Sequence, residues 1–223
     1  MSNEVVNYYE NYREEDRITT NNARRIEFLT TIYKFDKLLK GNLKILDCAA
    51  GTGAYAFYLA DKGHNLTATD ITPRHIKIIN EQLKDRTYSM GPFYHLTDDM
   101  SRNKCLSESI RVLKKGGYLI TAYIQDYILI RCLLCQLLHD NPKCFWTDTY
   151  YSSYDEMQKL YKDNGIECID QFAQDGLAPL FHNRVDQWNN EQFEIWLKYH
   201  LSVCSEKSII DMSNHVIIIG RKN

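Results

Sequence analysis

Hydrophobic and polar positions along the chain fall into two periods. Residues 3–40 carry apolar residues at helical spacing: Val5, Tyr8, Tyr9 and Tyr12, then Ile26, Leu29, Ile32 and Tyr33. Thr19, Thr20, Asn21 and Asn22 supply a break and caps between two helices, and Gly41 stops the second. Lys44 to Ala49 then reads as a buried strand. Ala54 to Asp61 reads as a helix closed by Gly63, and Asn65 to Asp70 as a second strand. Thr72-Pro73 opens another helix, with proline at a tolerated first-turn position, running to about Lys84.

The same alternation continues downstream. Tyr88 to His95 is a further strand. Asp98 or Asp99 caps a helix through about Lys114, and Gly116-Gly117 separates it from a strand over Tyr118 to Ile124. Asp126 to Asp140 is apolar and reads as helix, and Asn141 to Tyr151 as an irregular aromatic stretch. Ser152 or Ser153 opens a helix closed by Gly165. Ile166 to Ala173 is a strand, Asn189 to about Lys207 a long helix, and His215 to Gly220 the last strand. Strands alternating with helices predict a parallel α/β sheet. The expected architecture is a doubly wound, Rossmann-like, mostly parallel sheet with helices on both faces. No repeat or low-complexity linker interrupts it, so 1–223 reads as one domain.

Charge and cysteine content narrow the function classes. A formal net charge of -2 provides no basic field for nucleic acid. No apolar run approaches the roughly 20 residues that span a bilayer. The amino-terminal MSNEVVNYYENYREEDR is polar and acidic, unlike a signal or transit peptide. Seven cysteines without regular spacing suggest free thiols in a reducing cytoplasm. Cys132 and Cys135, with His139 on the same helical face and Cys144 nearby, keep zinc open as a reading, but their Ile and Leu flanks suit small core residues, and no metal is assigned.

The stretch Asp47-Cys48-Ala49-Ala50-Gly51-Thr52-Gly53 is a strand-to-helix turn. Its glycines permit positive φ and close approach of a ligand to backbone N–H groups, and the next helix begins beside it. Asp70 ends the following strand on the same side of an open sheet, where a carboxylate can accept hydrogen bonds from a ribose diol. These features point to an adenosine-type cofactor. A dinucleotide site reads G-x-G-x-x-G, whereas here Gly53 is followed by Ala54, Tyr55 and Ala56 without the third glycine.

The pattern instead resembles the class I S-adenosylmethionine-dependent methyltransferases. "ILDCAAGTGAYAFYLA" is similar to their first motif, "LTATDIT" to their ribose-binding strand, and "MGPFYHLTDD" with "CLSESIRVLKKGGYLITAYI" to their fourth strand, following helix and fifth strand. "HVIIIGRKN" suits their closing antiparallel strand. The resemblance implies that Asp47 orients the glycine loop, and that Ala49, Gly51 and Gly53 contact the methionine portion. Asp47 would alternatively approach the methionine amine through water; Asp70 would bind the ribose hydroxyls, Ile71 pack on adenine, and Met90 and Gly91 face the sulfonium. Tyr12 and Arg17 would close over the cofactor, Arg17 meeting the methionine carboxylate; an exposed helix charge is the competing reading of Arg17. Residues 1–40 would form a helical cap, 42–124 the cofactor core, 126–150 a lid, and 151–223 the rest of the sheet.

The chain departs from that pattern in one place. Only KDRTYS separates Leu83 from Met90, and six residues cannot build a third strand with its connections, since a parallel return needs about a dozen. A true deletion would leave the second strand as a sheet edge. It motivates an alternative in which the chain binds S-adenosylmethionine or S-adenosylhomocysteine without turnover. A nicotinamide-dependent oxidoreductase is disfavoured by the absent third glycine.

The expected reaction is in-line methyl transfer to a small-molecule acceptor. Tyr94 and His95 are candidate general bases, and His95 can equally cap the following turn. Trp146, Tyr150 and His182 are candidate substrate walls, with lid packing as the plainer reading. The expected setting is cytoplasmic, as monomer or homodimer, with neither membrane nor nucleic acid as partner.

Overall fold

The computed structural model describes residues 3–82, 95–127 and 149–223. The chain divides into two compact units, Met1–Pro92 and Phe93–Asn223.

In the first unit, α1 (Asn3–Asn11) is followed by a 3₁₀ turn at Glu14–Asp16 and by α2 (Asn22–Leu38). The Asn21 side chain accepts from Arg24 N–H and caps α2, as the break at 19–22 predicts. The buried face of α2 differs from the expected stripe. Ile26, Glu27, Thr30, Thr31 and Phe35 are buried, whereas Leu29, Ile32 and Tyr33 are only partly so. Two of its polar residues have partners: the Thr31 hydroxyl donates to Glu27 O, and Glu27 pairs with Arg17, whereas the Thr30 hydroxyl has none among the described residues.

β1 (Lys44–Cys48), α3 (Ala54–Asp61), β2 (Asn65–Thr69) and α4 (Pro73–Gln82) complete this unit. β1 and β2 pair in parallel, from Lys44 opposite Asn65 to Cys48 opposite Thr69, with α3 as the crossover. Val5, Ile26, Phe35, Leu39, Ala56, Leu59, Leu66 and Ile79 are its buried apolar residues. Among the described residues β2 pairs with β1 alone.

The second unit opens with α5 (Asp99–Val112), capped by Asp98, then β3 (Tyr118–Gln125) and a two-residue strand β4 (Tyr151–Ser152) that straddles the end of the stretch expected to be irregular. α6 (Tyr154–Asp163) starts with a reciprocal capping box between Ser153 and Glu156. β5 (Ile166–Ala173) follows, then a 3₁₀ turn at Ala178–Leu180 and a short α7 (His182–Val185). The long helix expected from Asn189 to Lys207 is two: α8 (Asn190–Val203), with an Asn189/Gln192 capping box, and α9 (Lys207–Ile210). β6 (His215–Lys222) runs two residues beyond its expected end.

The four strands lie in the order β4-β3-β6-β5. β3 and β4 are parallel, and β6 runs antiparallel to both neighbours, as expected of the closing strand. Val216 to Gly220 are all buried, so the "VIIIG" run is the central strand its continuous apolarity implies. Tyr123, Met157, Tyr161, Ile166, Ile210 and Ile218 form its core with Leu106.

The expected strand ahead of His95 and the helix over 126–140, from residue 128 on, lie outside the described residues. So do Cys132, Cys135, His139 and Cys144. No helix among the described residues is long and apolar enough to cross a membrane.

Candidate functional site

The turn from Asp47 to Gly53 leaves the carboxyl end of β1 with three residues at positive φ: Ala49 at 80°, Gly51 at 53° and Gly53 at 88°. Gly51 and Gly53 adopt these angles without steric cost, whereas Ala49 is a strained exception for a residue with a Cβ. The strain is held by hydrogen bonds. Ala49 N–H and Ala50 N–H both donate to Thr69 O, at 2.7 and 3.1 Å, and Gly53 N–H donates to Ala50 O at 2.8 Å. Gly53 is the N-cap of α3, so the helix begins where the turn ends. A Cβ on Gly53 would lie 2.8 Å from the Phe57 ring, which makes glycine a packing requirement there as well.

Asp70 closes the turn from the other strand. Its Oδ2 accepts from Gly51 N–H at 2.9 Å, its Oδ1 from Thr72 N–H at 2.8 Å, and His75 Nδ1 lies 3.2 Å from Oδ1. The side chain is 5% exposed. Burial alone would raise its pKa, but the neighbouring His75 and the hydrogen bonds from Thr72 and Gly51 outweigh burial and hold Asp70 below the ordinary carboxylate range. Asp47 is the opposite case. It is 1% exposed, and its Oδ1 has no hydrogen-bond partner among the described residues. Burial, reinforced by the Asp70 charge, pushes Asp47 well above the ordinary range.

The amino-terminal segment lies on this turn. The Glu14 side chain covers Gly51: a Cβ built there would be 3.2 Å from Glu14 Cγ and 3.6 Å from Oε1. Arg17 Nε donates to Glu14 Oε1 at 2.7 Å, and its Nη1 donates to both oxygens of Glu27, at 2.9 and 2.7 Å. Burial would lower the Arg17 pKa, but the two carboxylates more than compensate and raise it. Arg17 is therefore an ion-paired, largely buried group, and its reading as an exposed helix charge is corrected.

Arg74 of α4 ties down the same segment. It donates to Tyr12 O at 3.1 Å and to Glu15 Oε1 at 2.6 Å, while its own N–H goes to Glu10. Tyr12 stacks on Tyr8 with ring centroids 5.3 Å apart, and Tyr9 meets His75 edge-on. Ile71 is 51% exposed beside Asp70, free to pack on a flat group.

The structure thus brings Tyr12, Arg17, Asp47, Ala49, Gly51, Gly53, Asp70 and Ile71 into one unit. Tyr94, Met90, Gly91 and Trp146 lie outside the described residues. His95, Tyr150 and His182 belong to the second unit. There His95 is half-buried, and Arg102 reaches from Leu96 O to stack over the Tyr150 ring, 3.6 Å from its centroid. His182 is exposed at the start of α7, with Nδ1 3.2 Å from Pro179 O. Glu14, Glu27, Arg74 and His75 were not singled out from the sequence. The acidic run "REED" just before Arg17 was the available signal for Glu14.

Two further features belong to the second unit. Buried Asp175 accepts from the Ser213 hydroxyl, from Asn214 N–H at 2.9 Å and His215 N–H at 3.2 Å, and sits 3.0 Å from His215 Nδ1. Trp188, Gln192, Ile195, Trp196 and Tyr199 line a groove of about 440 Å³ on α8. Among the described residues no cluster of His, Cys, Asp and Glu has the arrangement of a metal site.

No family model matches the sequence, and no curated protein matches it significantly. Solved structures do. The chain is similar to the PH0226 protein of Pyrococcus horikoshii OT3 at 15% identity and TM-score 0.59, covering 97% of this chain and 99% of that one. It is similar to a TehB-like SAM-dependent methyltransferase from Corynebacterium glutamicum at 13% identity and TM-score 0.53, over 97% and 99%. It is also similar to the magnesium protoporphyrin IX methyltransferase of Synechocystis PCC 6803, solved with bound SAH, at 13% identity and TM-score 0.54, over 95% and 88%. The chain has the Rossmann-like α/β fold of these proteins, in agreement with the fold that its motifs imply.

Proposed function

We propose that this chain is an S-adenosylmethionine-dependent methyltransferase acting on a small-molecule acceptor, with 1–223 as one methyltransferase domain. The observation that carries the reading is the turn itself: Ala49, Gly51 and Gly53 at positive φ, closed by Asp70 at the end of the neighbouring strand. The likeness to methyltransferase structures, one of them holding SAH, supports it.

The residues fit such a cofactor. Asp47 carries a buried oxygen without a hydrogen-bond partner among the described residues, beside the turn where an ammonium end would come. A ribose diol would share the Asp70 carboxylate, chiefly at Oδ2, which accepts Gly51 N–H and keeps further acceptor capacity. Ile71 would cover the adenine and Arg17 would hold the carboxylate. Bound there, the cofactor supplies an electrophilic methyl on sulfur; the chain's own work is alignment and exclusion of water. If the acceptor must lose a proton, His95 or Tyr94 is the proposed base, with Trp146, Tyr150 and His182 as substrate walls. The formal charge of -2 favours a small molecule over nucleic acid.

Isothermal calorimetry with S-adenosylhomocysteine on the wild type tests the reading, followed by an acceptor screen for methyl release. Micromolar binding with turnover is expected. Binding without turnover of any acceptor would favour the second reading, a cofactor-binding protein without activity, which the six-residue spacing between Leu83 and Met90 motivates. Absence of binding would remove both.

A further inference from the structure

Resting on this cofactor reading, we propose that Glu14 is an internal competitor of the methionine carboxylate, contending with it for Arg17 above Gly51. Glu14 and Glu27 place two carboxylates on one guanidinium, so the cluster already carries an excess of one negative charge. A third carboxylate arriving while both remain would meet net repulsion at short range, in surroundings 7–20% exposed where water screens weakly. Ionised Asp70 in the same turn adds to that repulsion. The ligand carboxylate therefore exchanges with one of the two glutamates.

The geometry identifies which. Glu27 offers both oxygens to Arg17 Nη1, lies on the 17-residue helix α2 and is the more buried of the two. Glu14 offers one oxygen, to Nε, from a three-residue 3₁₀ turn whose N-cap makes no side-chain hydrogen bond. Its stem also lies over Gly51, with Cγ 3.2 Å from where a Cβ would project, in the space that a group bound over the turn would take. Release of Glu14 clears both the charge and the space, while Glu27 keeps Arg17 in place. The amino-terminal segment thus tunes cofactor affinity downward through one side chain.

The test compares Glu14→Ala and Glu14→Gln with the wild type, using two probes: S-adenosylhomocysteine, and 5′-methylthioadenosine, which lacks the aminocarboxylate end. Both variants are expected to bind S-adenosylhomocysteine about tenfold more tightly, the order set by one lost charge-assisted hydrogen bond, and to bind methylthioadenosine unchanged. Amide exchange over residues 12–18 of the ligand-free variants is expected to quicken, independently of any cofactor. An equal gain for both probes would mean that Glu14 only shields the turn, and would overturn the carboxylate exchange. Weaker S-adenosylhomocysteine binding would make Glu14 a ligand of the ammonium and overturn it as well. If the wild type binds neither probe while its melting is cooperative, the cofactor reading itself fails and takes this inference with it. The Gln variant preserves shape, so agreement between the two variants separates charge from packing.

Discussion

The Gly51 N–H donates to Asp70 Oδ2 at 2.9 Å, across 19 residues of sequence, which makes the glycine turn and the end of β2 one hydrogen-bonded piece. The same carboxylate holds Thr72 N–H, at the start of α4. Asp70 therefore has a structural task in addition to the ribose contact proposed for it.

Asp70→Asn separates these tasks poorly but informatively. The amide can accept one N–H with its oxygen and must present its NH₂ to the other. A loss of about 2 kcal/mol is expected, typical of a hydrogen-bonded buried charge, together with weaker S-adenosylhomocysteine binding. Urea unfolding and calorimetry check it. Full stability with lost binding would show that the turn holds without the carboxylate.

Gly53 and Gly41 both sit at positive φ, 88° and 74°, but in different surroundings. Alanine at Gly41 meets nothing within 4 Å, whereas at Gly53 it meets Phe57 at 2.8 Å and Ile79 at 3.3 Å. Gly41→Ala is expected to cost about 1 kcal/mol for the left-handed backbone alone, and Gly53→Ala clearly more. Denaturant midpoints of the two variants, with m unchanged, give the comparison; equal shifts would refute the packing term.

Asp175 and Asp70 are both held below the ordinary carboxylate pKa. For Asp175, burial opposes this, while His215 and Ser213 outweigh burial. Groups with depressed folded pKa values contribute stability that is present above the unfolded value, about 4, and is lost as pH falls through the folded one. Melting temperature is expected to drop on acidification below about pH 4. Asp175→Asn should melt lower near neutrality, with the gap to wild type narrowing in acid. A gap independent of pH would assign the effect to packing.

Gly220 lies in the central strand against Tyr161 and Ile166. An alanine Cβ would come within 2.6 Å of Tyr161 Cδ1 and closer still to Ile166 Cγ2. Gly220→Ala is expected to destabilise by about 1–3 kcal/mol through overpacking. Adding Ile166→Ala should recover part of that loss, read as non-additivity in a double-mutant cycle.

The sequence disclosed the elements whose cause is local. The α3 boundaries and the ends of β5 follow from apolar period and stand as expected, and among the cap residues the sequence offers the structure uses Asn21, Asp98 rather than Asp99, and Ser153 rather than Ser152. Gly51, Gly53 and Asp70 were legible because a turn needing positive φ and a strand-end carboxylate leave a spaced signature. Glu14, Glu27 and Arg74 were not legible, because their ion-pair partners lie 3 to 59 residues away and such pairs follow no single period. The α8 break has no local signature for a related reason. Residues 204–206 carry no proline or glycine, and Cys204 turns there to accept Ala173 N–H on its carbonyl, a tertiary contact.

The Arg74 contacts carry a consequence for ionic strength. The amino-terminal segment is held to α4 by a guanidinium whose side chain is about a quarter exposed, through Glu15 and Tyr12, and by the Arg74 backbone N–H to Glu10. Dissolved ions reach such a pair, and the screening length shrinks to roughly 3 Å in molar salt. The apolar contacts within each unit have no comparable sensitivity. Salt concentration is therefore a handle that loosens the cover of the glycine turn selectively, leaving the strands beneath it intact.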